Sequence, residues 1–339
     1  MNPQVFNPVN WGILSTAQIG VETVIPAMQK GRLSRIIAIA SRDGEKARRV
    51  ADKLGIPKAY GSYEELLADP EVEAIYNPLP HHMHVPWSAK AAEAGKHVLC
   101  EKPIAVTRKE AEKLIEVRDE TRVQIQEAFV FRSHPRWIRV RELVHKGRIG
   151  KLRAIQGFYS YTNTDPNQFR NKIDIGGGGI YDIGCYPITA SRFLFEAEPQ
   201  RVAALIDRDP VMKIDRLVSA ILEFPAGQAS FVCSTQLVPF QAMQIFGTKG
   251  RIEFEIPFSP PPDRPCRILV DDGSSSPSTA SAREEMFDAV DQYTIQGDLF
   301  SEAIRTGKPL EFPLEDAVKN MRVIEALFRS AETGTWEVL

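Results

Sequence analysis

Through roughly its first 125 residues the chain alternates short apolar runs with segments of helical period, the rhythm of repeated βα units. The runs VNWGIL from Val9, SRIIAIAS from Ser34, VEAIYN from Val72, HVLCE from His97 and VQIQEAF from Val123 are rich in isoleucine and valine. They lack polar–apolar alternation, which predicts parallel strands covered on both faces. Between them Ala47, Val50, Ala51 and Leu54 share one helix face, and Gly55 stands where that helix would stop. Ser62 with Glu65, and Thr107 with Glu110, have the spacing of capping boxes.

After Phe129 the rhythm changes. A helix with Trp137, Val140 and Val144 on one face leads into the alternating runs LRAIQGFYSY, RVAALIDR, RLVSAILEF, QASFVCSTQ, AMQIFG and RIEFEI. Turn sequences such as FPAGQ and GTKGR separate several of them, as in an open, mostly antiparallel sheet. Helices at about 186–195, 286–305 and 314–330 are expected to cover one face of it. The stretch DDGSSSPSTAS from Asp271 to Ser281 reads as a polar loop, and no internal repeat is visible.

At 339 residues the chain is too long for one ordinary core, so two domains are expected, 1–125 and 126–339. Lys and Arg number 42 against 44 Asp and Glu. That balance gives no basic footprint for nucleic acid and no attraction to an anionic membrane. The longest apolar run, Ile36 to Ala40, is far short of the ~20 residues that cross a bilayer. The opening MNPQVFNPVNW carries neither a basic start nor an apolar stretch, so no signal peptide is expected. Four cysteines, Cys100, Cys185, Cys233 and Cys266, stand far apart, which argues against a disulfide framework and for a reducing cytoplasm.

Candidate chemistry begins at the first strand-to-helix turn, Ser15-Thr16-Ala17-Gln18-Ile19-Gly20. A Rossmann dinucleotide fold carries G-x-G-x-x-G there; Ser15 and Ala17 replace two glycines but are small enough to let a pyrophosphate approach. Any tight strand-to-helix turn would fit the same residues. About twenty residues on, the second run ends in Ser41-Arg42, with no carboxylate for a ribose 2′-hydroxyl. A hydroxyl and a guanidinium suit a 2′-phosphate, so NADP is expected over NAD, with Asp43 left to cap the next helix. An exposed arginine at a helix start is the plainer alternative. Lys102, in Cys100-Glu101-Lys102-Pro103, stands at the C-terminal end of another strand, where a ligand crevice opens; a surface lysine would look the same.

Gly176 to Gly179 favour neither helix nor strand, so the backbone must bend sharply or approach something closely there. Asp182 and Tyr186 follow, four apart and on one helix face, with Pro187 confined to the first turn. The segment from Tyr159 to Asn171 holds Tyr161, Asn163, Asp165 and Arg170, a mixture of flat apolar faces and hydrogen-bonding groups that suits a sugar and also suits a plain polar loop. The tract His81-His82-Met83-His84 lacks a carboxylate or thiol at ligand spacing, and no catalytic metal is expected.

Taken together, these motifs resemble the Gfo/Idh/MocA oxidoreductase family. The resemblance runs in order along nearly the whole chain: the first turn, Asn77-Pro78-Leu79-Pro80 with His84, Glu101-Lys102-Pro103, Glu127-Ala128-Phe129 with Arg132, His134 and Pro135, and the glycine run with Asp182. Tyr186 stands four residues after Asp182, where inositol dehydrogenases of the family carry histidine. That favours the branch of glucose–fructose oxidoreductase, dimeric dihydrodiol dehydrogenase and NADP-dependent D-xylose dehydrogenase. His81 departs from the asparagine common after the proline. The resemblance implies an N-terminal Rossmann domain (α/β) and a C-terminal α+β domain that binds substrate; an open sheet usually finds a partner, so a homodimer or homotetramer through it is expected.

It also implies roles. Ser15, Thr16, Ala17, Gln18, Ile19, Ser41, Arg42, Pro78, Leu79, Pro80, His84, Glu101 and Lys102 would contact NADP. Tyr161, Asn163, Asp165, Arg170, Asp182 and Tyr186 would contact a sugar or polyol. Moving hydride to or from a carbinol carbon needs a group that takes or returns the hydroxyl proton. A free phenol has a pKa of ~10, and a nearby ammonium favours its ionised form, so Tyr186 is the expected acid–base and Lys102 its assistant. Asp182 would hold a substrate hydroxyl or orient that pair. A keto-sugar reductase and a non-catalytic NADP-sensing regulator of the same fold are the alternatives; retention of Lys102, Asp182 and Tyr186 together favours catalysis.

Overall fold

Six parallel strands form the first sheet: β1 (Val9–Leu14), β2 (Ser34–Ala40), β3 (Lys58–Tyr60), β4 (Ala74–Asn77), β5 (His97–Cys100) and β6 (Ile125–Glu127). Their order is β3-β2-β1-β4-β5-β6, with the reversal between β1 and β4. This is the Rossmann arrangement, in which ligands are bound beyond the carboxyl ends of the strands at the reversal. Trp11, Ile13, Ile39, Ala74 and Leu99 are buried in its core, as runs covered on both faces require. β3 has no counterpart in the sequence reading, because KAY is a short, half-buried edge strand. The structure is a computed structural model that describes residues 6–273 and 282–339. Most of the polar stretch at 271–281 lies outside the described residues.

Local signals account for the helix boundaries. A π-helical turn, Gly20–Val24, runs into α1 (Ile25–Met28), and Asp43 and Gly55 bracket α2 (Gly44–Leu54). Ser62 accepts from Glu65 N at the start of α3 (Tyr63–Leu67), while the Glu65 carboxylate returns to Gly61 N, so that box is shifted by one residue. After α4 (His84–Glu93), Thr107 and Glu110 form a complete capping box on α5 (Arg108–Thr121).

The chain divides into two compact units, Met1–Val130 with Asp291–Val318, and Phe131–Val290 with Lys319–Leu339. The first therefore includes helix Gln292–Thr306, expected from sequence in the 126–339 half. The physical reason is specific pairing: Trp11 Nε1 donates to Ser301 Oγ at 3.1 Å, and the Asp298 carboxylate accepts from Arg32 N and Leu33 N, both at 2.9 Å. That helix also begins later than expected. Asp291 caps it through Tyr293 N, and Met286 lies in a strand instead.

In the second unit, α6 (Pro135–His145) and α7 (Cys185–Phe195) accompany a nine-stranded sheet; α8 is the Gln292–Thr306 helix, and α9 (Leu314–Thr333) crosses the division between units. The strands are β7 (Leu152–Thr162), β8 (Arg201–Arg208), β9 (Asp215–Phe224), β10 (Gly227–Ser234), β11 (Gln236–Gly247), β12 (Arg251–Glu255), β13 (Cys266–Asp271), β14 (Arg283–Phe287) and β15 (Glu337–Val338). They are ordered β14-β13-β12-β11-β7-β10-β9-β8-β15, and every neighbouring pair is antiparallel except β7 with β10. One face carries the core, where Trp137 stacks on Phe254 with centroids 4.4 Å apart. The other is open: Leu205 is 77% exposed and Phe240 53%. Among the described residues no helix is long and apolar enough to cross a membrane.

Candidate active site

In the first unit the candidate residues sit on the loops that leave β1, β2, β4 and β5. Ser15 follows β1 with φ +76°, the left-handed backbone that a fingerprint glycine supplies without strain, and its Oγ accepts from Ala17 N at 3.2 Å. Thr16 and Ala17 are half-buried, Gln18 bonds Glu22, and the Ile19 side chain packs on the core. After β2, Ser41 is buried and its Oγ accepts from Asp43 N, while Arg42 is exposed. Asp43 is occupied as the α2 cap, through Lys46 N at 3.0 Å. Arg42 meets a residue that the sequence reading missed: burial pushes the Tyr63 phenol up, and the Arg42 guanidinium, hydrogen-bonded to it, pulls the other way.

The loops after β4 and β5 are cross-tied. Asn77 Nδ2 donates to His84 O and to Ser88 Oγ, both at 3.1 Å, and Asn77 Oδ1 accepts from Leu79 N. His84 is fully buried, with Nδ1 2.7 Å from Pro103 O and Nε2 2.6 Å from Leu79 O. Burial drives this imidazole down to about 4, and the charge of Lys102 acts in the same direction. His84 was expected to touch the cofactor; here both ring nitrogens face backbone carbonyls and the residue is fully buried. Glu101 Oε1 accepts from the Tyr76 hydroxyl at 2.6 Å, and Ile104 N donates to Glu127 Oε1 at 2.7 Å. Half-buried Lys102 thus leaves a backbone that is held on both sides.

In the second unit the glycine run turns the chain into a π-helical turn, Ile180–Gly184, that continues as α7. Gly176 and Gly178 have φ +83° and +127°, and a Cβ at Gly177 would lie 2.6 Å from Lys172 O. Asp182 is only 5% exposed; its Oδ1 accepts from Arg170 Nε at 3.2 Å and its Oδ2 from the Tyr161 hydroxyl. Burial, together with the Asp182 charge, raises Tyr161 far above the usual phenol range, so it acts there as a fixed donor. Tyr186 is half-buried among aromatic rings, with centroids 5.1 Å from Phe258, 5.6 Å from Tyr159 and 6.1 Å from Phe131.

The structure thus gathers Tyr161, Arg170 and Asp182 as the sequence pattern suggested, and adds Phe258, which no motif marked. Two further expected substrate residues are hydrogen-bonded within their own loop. Asn163 Oδ1 accepts from Asp165 N and Asn171 Nδ2, and Asp165 Oδ1 accepts from Asn167 N, so these side chains shape the loop they belong to.

Profile comparison assigns residues 9–129 to an oxidoreductase family with an NAD-binding Rossmann fold, and residues 137–253 to the GFO/IDH/MocA C-terminal domain. The chain belongs to the Gfo/Idh/MocA family. It is therefore an oxidoreductase. An uncharacterized oxidoreductase of Rhizobium meliloti is 50% identical over 98% of this chain and 99% of its own length. A D-xylose 1-dehydrogenase (NADP(+)) of Haloferax volcanii is 37% identical over 96% of this chain and 98% of its own. Among solved structures, an aldose-aldose oxidoreductase from Caulobacter crescentus, complexed with glycerol, matches with a TM-score of 0.89 at 28% identity, covering 98% of this chain and 100% of that one. A 3-ketoreductase from Actinomadura kijaniata, in complex with NADP and TDP-benzene, gives 0.88 at 27%, covering 96% and 98%.

Proposed function

We propose that the protein is an NADP-dependent oxidoreductase that moves hydride between the nicotinamide and a sugar or polyol carbon, of the aldose 1-dehydrogenase type. The observation that carries this reading is the Asp182–Tyr186 turn. A buried carboxylate held by Arg170 and Tyr161 stands one helical step from a half-buried tyrosine set among aromatic rings. Aromatic faces suit the C–H surface of a sugar, and Asp182 and Arg170 suit its hydroxyls.

The residues of the first unit fit the cofactor. Ser15 already has the left-handed backbone that the turn needs, Asp43 is spent on its helix, and exposed Arg42 is the cation for a 2′-phosphate. The bound nicotinamide supplies the hydride donor or acceptor. Tyr186 Oη takes the substrate hydroxyl proton in oxidation and returns it in reduction, and the Lys102 ammonium favours the phenolate. Asp182 holds a substrate hydroxyl through the carboxylate that Arg170 and Tyr161 orient. The D-xylose dehydrogenase relative supports an aldopyranose as substrate, and the ketoreductase relative supports a keto-sugar as the alternative.

The same reading gives the open sheet face to a second copy of the chain. A hollow of about 620 Å³ there is lined by Phe158, Leu205, Ile221 and Phe240 among other residues, none of them charged, so it offers a foreign charged surface nothing and its own copy a match. A reducing cytoplasm suits its four free thiols. Incubating the protein with NADP and a panel of aldoses, polyols and dihydrodiols, and with NADPH and keto-sugars, tests the function by nicotinamide absorbance. Turnover with an aldose is expected; no turnover in either direction with NADP or NAD would overturn it.

A further inference from the structure

Asp215 carries no motif and stands at the first position of β9, yet Gly178 and Gly179 of the glycine run lie directly against it. The residue is 1% exposed. Oδ2 accepts from Ile180 N at 2.6 Å, and Gly179 N is a second backbone donor to the carboxylate. A Cβ at Gly178 would collide with Asp215 Oδ1, and one at Gly179 would lie 3.0 Å from Asp215 O. Two of the four consecutive glycines, Gly178 and Gly179, are therefore an approach to Asp215, while Gly177 lies against the carbonyls of Arg170 and Lys172. Ile180 opens the π-helical turn that carries Asp182, and that turn runs without a break into α7 and Tyr186.

We infer that Asp215 is a positioning residue, its carboxylate seated against Gly178–Ile180 to fix the rotation of the turn that presents Asp182 and Tyr186. The inference rests on the functional reading above and deepens it. A helical turn started by ordinary capping would tolerate small rotations; one clamped by a buried carboxylate against left-handed glycine backbone does not. Since 1 Å of misplacement costs about 100-fold in rate, such a clamp is felt in turnover.

The charged and titratable groups that act with Asp215 are Arg208 on β8 and Cys233 on β10; Cys233 in turn feels Asp182 and Cys185 on the turn and helix. Burial raises the carboxyl to about 7, against the pull of the backbone N–H groups of Ile180, Asp215 itself and Gly179, and of Arg208. Its ionisation thus falls in the range where the enzyme would be assayed.

The test compares wild type with Asp215→Asn, which keeps the shape and an acceptor but has no charge to gain, and with Gly178→Ala, which displaces the carboxylate without altering it. NADPH binding, followed by its fluorescence, reports on the first unit, and the denaturant unfolding midpoint serves as the control for folding of the second, which holds Asp215 and Gly178. Both variants are expected to lose about 100-fold in kcat while the NADPH dissociation constant stays within about twofold. Wild type is expected to show a pH inflection near 7 that Asp215→Asn lacks. Turnover within about threefold of wild type in Asp215→Asn overturns the inference. Should Asp215→Asn lose NADPH binding as well, Gly178→Ala decides, and full turnover there overturns it. Tyr186→Phe separates the two levels: if it keeps turnover, the functional reading fails, whereas if it loses turnover and Asp215→Asn does not, only the positioning role fails.

Discussion

Two helix-opening turns carry the candidate chemistry, and they handle the same problem in opposite ways. Each passes through a π-helical segment before the α-helix, Gly20–Val24 in one unit and Ile180–Gly184 in the other. At the first, a serine takes the left-handed backbone itself, at φ +76°. The cost of such a conformation is ~1–2 kcal/mol, partly offset by the bond from Ala17 N to Ser15 Oγ. At the second, carbonyls of Arg170 and Lys172 and the carboxylate of Asp215 occupy the places where side chains would go, so only glycine fits. A missing fingerprint glycine is thus a modest local cost, whereas a glycine run is a demand made by distant residues.

The largest effects should come from the proton-handling pair. Tyr186→Phe keeps the ring against Phe258 and Tyr159, so folding and NADP binding should persist while turnover falls by about 10²–10⁴. Lys102→Ala should cost a similar factor, and the double variant much less than the product, as for residues that act as a unit. Near-normal turnover in Tyr186→Phe would move the acid–base elsewhere, with Asp182 next.

Arg42→Ala removes one charge-assisted contact worth ~1.5–3 kcal/mol. The Michaelis constant for NADP should rise about 10- to 150-fold, with that for NAD nearly unchanged. Equal losses for both cofactors would show that Arg42 supports the fold through Tyr63 rather than reading the phosphate.

A smaller effect separates Asp215 from an ordinary buried carboxylate. Its folded-state value is raised to about 7 from 3.8, so the folded chain holds a proton that the unfolded chain releases. The stability this contributes is full below pH ~4 and is lost as pH rises through about 7. Denaturant melts of wild type and Asp215→Asn should therefore show a gap that narrows between about pH 5 and pH 8. A gap that widens would mean the carboxylate is held ionised in the fold. The smallest change belongs to the first turn: Ser15→Gly relieves the backbone but loses the Oγ bond and adds unfolded-state freedom, so stability should move by about 1 kcal/mol or less and cofactor binding should remain. A large loss would break the contrast between the serine turn and the glycine turn.

Much of this architecture is written in local pattern. Uninterrupted Ile/Val runs mark strands covered on both faces, and the Thr107–Glu110 and Asp43–Gly55 signals set helix ends, because those interactions span only a few residues. Asp182, Arg170 and Tyr161 were legible as a polar and aromatic constellation near a glycine run. What could not be read was everything settled at long range. KAY became β3 only by pairing with β2, and helix α8 joined the first unit because Trp11 and Leu33 bond to it across more than 260 residues of chain. His84, legible as a polar residue near a ligand loop, was turned inward by two backbone carbonyls that only the folded loops bring to it.

The amino-acid sequence by itself therefore determined the strand and helix periods, the caps, the reading of Ser41-Arg42 and the family motifs, since each depends on residues close together in the chain. Only the tertiary structure decided that Tyr63 meets Arg42, that Phe258 joins Tyr159 around Tyr186, and that Asp215 stands against Gly178 and Gly179. The physical cause is the same in each case. Burial and directional hydrogen bonds act between surfaces, and which surfaces meet is fixed by how strands pair and helices pack, which no local period encodes.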